Sequence, residues 1–157
     1  MPDYYEEPTT KSVTSLLGML FGDDLAANDS DAQEIAKPYV ATFINSEDKI
    51  VATCACDLPF VAYSGAAFSM VPADVAKEMI DDGELTETFL GNFHELMNIC
   101  SKLMLSDDSL HLKLDKTLQP DQGAAEAIAA VESPKICAFT LDIPGYGSGE
   151  MVYHIAA

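Results

Sequence analysis

The chain has 157 residues, 48% of them hydrophobic, and a formal charge of −18. That length suffices for one domain that buries most of its unfolded-state surface without metal or disulfide support, and that charge argues against nucleic acid and anionic membrane, which both call for a basic footprint. All 8 cationic residues are lysines, so the chain offers no bidentate arginine clamp for phosphate and no arginine finger.

The opening MPDYYEEPTT is acidic and polar, which fits a flexible segment over residues 1–10 and lacks the basic start and apolar core of a signal peptide. No apolar run approaches the roughly 20 residues of a membrane span, and a cytoplasmic protein is expected. Next, KSVTSLLGMLFG carries Val13, Leu16, Leu17 and Leu20 at helical spacing, with Thr9 or Thr10 as N-cap and an end near Gly22. DDLAANDSDAQEIAKP reads as a polar linker or surface loop. Its Asp29, Asp31 and Glu34 lack the spacing and central glycine of an EF-hand.

YVATFIN and KIVATCACD, rich in β-branched residues and separated by SED, read as a hairpin. FVAYSGAAFSMV reads as a third strand, with Gly65 at a bulge or a close backbone approach. Pro72 stands where a first helical residue belongs and opens a short helix through Val75, Ala76, Met79 and Ile80. DDGE breaks it, and a longer helix runs from about Leu85 to Leu105. SDDS is a turn, LHLKL alternates as a strand up to Pro120, and QGAAEAIAAVE is a small helix. ICAFTLDI and EMVYHIA close the chain as paired strands around PGYGSG. The glycines at 145, 147 and 149 join strand to strand, whereas a nucleotide loop must lead into a helix. The expectation is one α+β domain over residues 11–157, with a mostly antiparallel sheet of about six strands and two long-helix elements packed on it.

Cys54, Cys56, Cys100 and Cys137 form no CxxC pair and lie in apolar stretches, as reduced core thiols do. His94, His111 and His154 are scattered, so no metal or cofactor site is expected within the chain.

The long helix contains the informative pattern. At about 100° per residue, Phe89, Phe93, Leu96, Met97, Cys100, Leu103 and Met104 gather into one stripe that must face the sheet. Gly91, Glu95, Asn98 and Lys102 then form a row on the opposite face. Folding alone places polar residues on a solvent face. A mid-helix glycine is different, because it costs roughly 1 kcal/mol relative to alanine and lets a partner approach closely.

GNFHELMNI resembles the signature of the CheC/CheX/FliY chemotaxis phosphatases: an acidic residue or Ser, then Glu four positions on, Asn three further, and a Pro about twenty-two residues later. Glu95 and Asn98 are in register, and Pro120 falls one residue short. KSVTSLLGMLFG resembles the family's leading helix, VATFINSEDKIVATCACD its early strands, and FSMVPADVAKEMI the segment before the signature helix. With one signature, on the later helix, the chain is most similar to the single-site CheX type.

The resemblance implies removal of the phosphoryl group from the aspartate of a CheY-like response regulator. Asn98 would orient the attacking water and Glu95 would pair with the regulator's lysine; Gly91 and Lys102, which share their row on the outer helix face, are the expected partner-binding positions. The Mg²⁺ belongs to the phosphorylated regulator, and the resemblance also implies a homodimer joined through sheet edges. Two departures stand out: Gly91 replaces the motif's Asp or Ser, and Ser101-Lys102 replaces a small turn. They leave open a member that binds a regulator, or dimerises, without chemistry.

Overall fold

The computed structural model describes residues 4–107 and 109–156. Residues 1–3, Asp108 of the SDDS turn and Ala157 lie outside them. Twelve elements follow one another: α1 (Thr10–Phe21), β1 (Ala26–Asp29), β2 (Tyr39–Ile44), β3 (Ile50–Cys56), α2 (Leu58–Phe68), α3 (Ala73–Asp82), α4 (Glu87–Cys100), a 3₁₀ turn (Ser101–Met104), β4 (Lys113–Leu118), α5 (Ala124–Ala129), β5 (Pro134–Ile143) and β6 (Gly147–Ala156). The six strands make one sheet in the order β1-β5-β6-β3-β2-β4, and every neighbouring pair is antiparallel. The α+β class and the antiparallel sheet are as the sequence implies.

Helix α1 starts at a reciprocal cap: Thr9 Oγ1 accepts from the Ser12 N–H at 3.0 Å and Ser12 Oγ accepts from the Thr9 N–H at 2.8 Å, satisfying donors that a helix start otherwise leaves free. The hairpin β2–β3 pairs Tyr39 with Cys56 through to Ile44 with Ile50. Alternation along these strands sends Ala41, Phe43, Cys54 and Cys56 into the main core, where Val13 and Leu17 of α1, Phe60 and Val61 of α2, and Phe93, Leu96 and Met97 of α4 meet them. The opposite sheet face is covered in part by α5, whose Ala124 packs on Val40 and Ala55.

Four expectations are corrected. The stretch FVAYSGAAFSMV is not a strand; most of it is α2, begun by Asp57, whose carboxylate accepts from the Phe60 N–H at 2.8 Å, with a proline in the first turn. Phe60, Val61, Ala62, Ser64, Gly65 and Ala66 are all buried, because the sheet lies on one side and α3 and α4 on others. A helix surrounded in this way has no polar face and therefore no 3.6-residue signature. Gly65 marks a close approach inside this helix: a Cβ there would stand 3.0 Å from the Phe89 ring.

The polar linker contains β1, which pairs with β5 from Ala26–Asp142 to Asp29–Phe139. As a short, largely exposed edge strand, it needs no apolar alternation. The count of six strands is thus correct, with β1 in place of the strand assigned to α2. The long helix is also shorter than expected, ending at Cys100 and tightening into a 3₁₀ turn. Pro72 is the residue before α3 rather than its first.

The described part of the N-terminal segment is tied down. Tyr5 is buried, the Glu6 N–H donates to Met104 O at 2.9 Å, and Tyr4 O accepts from the Leu110 N–H at 2.9 Å. Among the described residues, no helix is long and apolar enough to cross a membrane.

Candidate functional site

Helix α4 is capped by Thr86, whose hydroxyl accepts from the Phe89 N–H at 3.4 Å. Its apolar stripe behaves as the periodicity demands: Phe89, Phe93, Leu96, Met97 and Cys100 are buried, as are Leu103 and Met104 in the following turn. Tyr39 of β2 meets Phe93 edge to face, with ring centroids 6.4 Å apart. Burial of the stripe fixes the other face. Gly91, Glu95 and Asn98 are exposed on α4 and Lys102 is exposed in the 3₁₀ turn that follows it, so all four predicted positions are turned away from the buried stripe.

Two side chains that sequence reasoning did not assign to the site hold this rod in rotation. On one flank, Asn92 Nδ2 donates to Gly65 O at 3.0 Å and to Ser69 Oγ at 2.6 Å, joining α4 to the end of α2. On the other flank, His94 Nδ1 lies 3.3 Å from Thr117 Oγ1 of β4. Ser101 Oγ donates to Asn98 O at 2.6 Å where the helix tightens, fixing the backbone beneath the carboxamide. The partners of Asn92 and His94 are more than twenty positions away in sequence, so no local pattern announces them.

The two ion pairs among the described residues, Lys49–Glu132 at 3.1 Å and Lys135–Glu7 at 3.3 Å, involve neither Glu95 nor Lys102. The cleft between α4 and β4, lined by Leu90, Phe93, Thr117 and Gln119, holds only about 60 Å³. That is space for about two waters at roughly 30 Å³ each, too little for a small-molecule substrate. What this face presents is an open surface with a carboxylate and a carboxamide one turn apart.

The remaining reactive groups sit elsewhere. Cys54 Sγ and Cys56 Sγ are 3.9 Å apart in the core. Desolvation pushes the Cys56 and Cys100 thiols well above their ordinary range, which keeps them protonated and unreactive. Among the described residues, no group of three or more His, Cys, Asp or Glu is placed to hold a metal ion.

No family model matches the sequence, and no curated protein matches it. Solved structures do match in fold. FliY from Thermotoga maritima superposes with a TM-score of 0.61 at 16% identity, over 96% of this chain and 85% of that one. A chain of the FliM–SpeE complex from H. pylori superposes with a TM-score of 0.50 at 9% identity, over 94% and 81% of the two chains. A chain of the CheX–CheY–beryllofluoride–magnesium complex from Borrelia burgdorferi superposes at 0.47 and 12% identity, over 91% and 92%.

Proposed function

We propose that this chain, which has the fold of the CheC/CheX/FliY proteins, is a phosphatase for the phospho-aspartate of a CheY-like response regulator. The observation that carries the reading is the joint exposure of Glu95 and Asn98 on the face of α4 turned away from the core. The residues match the family motif in identity and spacing, and α4 is braced on both flanks. Positioning of this kind is the main contribution such an enzyme must make, since the regulator brings the magnesium and the lysine that stabilise the transferring phosphoryl group.

In this reading Glu95 pairs with the regulator's lysine and fixes the docked register. Asn98 enters beside the phospho-aspartate, where its neutral amide can both donate to and accept from the attacking water without adding negative charge. Exposure keeps both side chains available to a protein partner, and the i, i+3 spacing delivers both into one cleft.

A second reading is favoured by one observation. Gly91 leaves the motif's first position bare, so a member that binds a regulator without hydrolysis would present the same surface.

One experiment separates the two: decay of a phosphorylated CheY-like regulator with the native chain, Asn98→Ala and Glu95→Ala. The phosphatase reading expects faster decay with the native chain and return to the regulator's own rate with Asn98→Ala while binding persists. It expects weakened binding with Glu95→Ala. Binding by the native chain with no change in decay establishes the silent module, and absence of binding removes both readings.

A further inference from the structure

Asn92, Glu95 and Asn98 follow one another at steps of three along α4, so they form one ridge on the helix surface, each side chain beside the next. The two carboxamides of this ridge are held differently. Asn98 is exposed, whereas Asn92 is half-buried and its amide nitrogen is pinned, donating to Gly65 O at 3.0 Å and to Ser69 Oγ at 2.6 Å. A backbone carbonyl can only accept, so the end of the Asn92 amide that meets Gly65 O is the nitrogen. The amide is planar, and pinning its nitrogen also fixes its oxygen.

That oxygen is unused within the chain. Among the described residues no donor reaches Asn92 Oδ1, and it is not one of the buried polar atoms left without a partner, so it opens to solvent. The residue directly before it is Gly91, and nothing lies within 4 Å of where the Gly91 Cβ would stand. A partner can therefore reach the Asn92 oxygen with no side chain at position 91 in the way.

The ridge thus offers two acceptors in adjacent turns, the Glu95 carboxylate and the Asn92 carbonyl oxygen, a pattern complementary to a protein surface that presents hydrogen-bond donors. The Asn92 acceptor is already ordered by its bonds to α2, so little further side-chain entropy is lost when a partner binds it.

We propose that Asn92 is a third partner-binding residue of this face, its carboxamide oxygen accepting a hydrogen bond from an N–H or O–H of the docked regulator in place of the side chain that Gly91 lacks. The inference rests on the docking reading above, in either its catalytic or its silent form. It also divides the labour of the two carboxamides: the pinned one docks, and the free one is left for the attacking water.

The test is the affinity of the full chain for a CheY-like regulator loaded with beryllofluoride and magnesium, which together stand in for the phosphoryl group. Asn92→Ala should bind about tenfold more weakly, the size of one hydrogen bond at the upper end of its usual net range, and should melt at a lower temperature because the bonds to α2 are lost as well. Adding Gly91→Ser to Asn92→Ala puts an oxygen back beside the one removed and should recover most of the affinity. Adding Gly91→Ala instead gives a comparable gain in helix propensity without the oxygen and should recover none. If the native chain does not bind the loaded regulator, the docking reading falls and this inference with it. If the native chain binds and Asn92→Ala binds equally well, this inference alone is overturned. A loss that Gly91→Ser fails to recover, or that Gly91→Ala recovers equally, makes Asn92 a brace for α4 only and also overturns it.

Discussion

Gly91 is the residue whose presence the fold explains least. It is exposed in the middle of α4, and nothing lies within 4 Å of where its Cβ would stand. No positive φ or tight crossing demands it, in contrast to Gly65 beneath the Phe89 ring. Gly91→Ala should therefore stabilise the free protein by about 1 kcal/mol, the intrinsic helix-propensity difference. Urea unfolding checks this as a higher midpoint at unchanged slope; an unchanged or lowered midpoint would show that the bare position already serves the chain's own packing. The row Gly91, Glu95, Asn98 and Lys102 was legible in the sequence because a single helical period separates it from the buried stripe. Asn92 and His94 were not, since their hydrogen bonds reach residues 65, 69 and 117, and period says nothing about which flank residue finds a distant partner.

Among the elements, α2 and β6 press together closely at two glycines. A Cβ at Gly149 would collide with the backbone N and Cα of Phe60 in the first turn of α2, and backbone has no rotamer through which to yield. A Cβ at Gly147 meets the Tyr63 ring at 2.6 Å, which can swing aside. Gly149→Ala should cost about 1–3 kcal/mol by overpacking, and Gly147→Ala less; thermal or urea unfolding of the two variants side by side tests the order, and equal losses would contradict it. The same contact explains why the glycines of PGYGSG are not merely hairpin punctuation. Only Gly145, at φ +79°, serves the turn between β5 and β6, while Gly149 lets α2 lie on the sheet. The hairpins and α4 could be read from sequence because each has one buried and one open face or a strong β-branched run. Helix α2 concealed itself by being apolar all round, and β1 by being a polar edge.

For the whole molecule, 26 acidic residues face 8 lysines, and two lysines among the described residues form ion pairs, both pairs exposed to solvent. Exposed pairs of this kind contribute little, from nothing to about 1 kcal/mol, so the uncompensated charge acts mainly as repulsion spread over the surface. The native state concentrates that repulsion, and the unfolded chain relieves it by expanding. Salt should then stabilise the fold. The Debye length falls from about 30 Å at 0.01 M to about 10 Å at 0.1 M, the range over which charges on one small domain cease to feel one another. The melting temperature should rise steeply across that interval in sodium chloride and flatten beyond it, in the order expected of screening rather than of a specific ion. Potassium chloride should give the same curve. A melting temperature that is flat or falls between the two concentrations would mean that the acidic surface is already neutralised, by bound cations or by a partner chain, and would move the origin of the fold's tolerance for its charge from bulk screening to a specific contact.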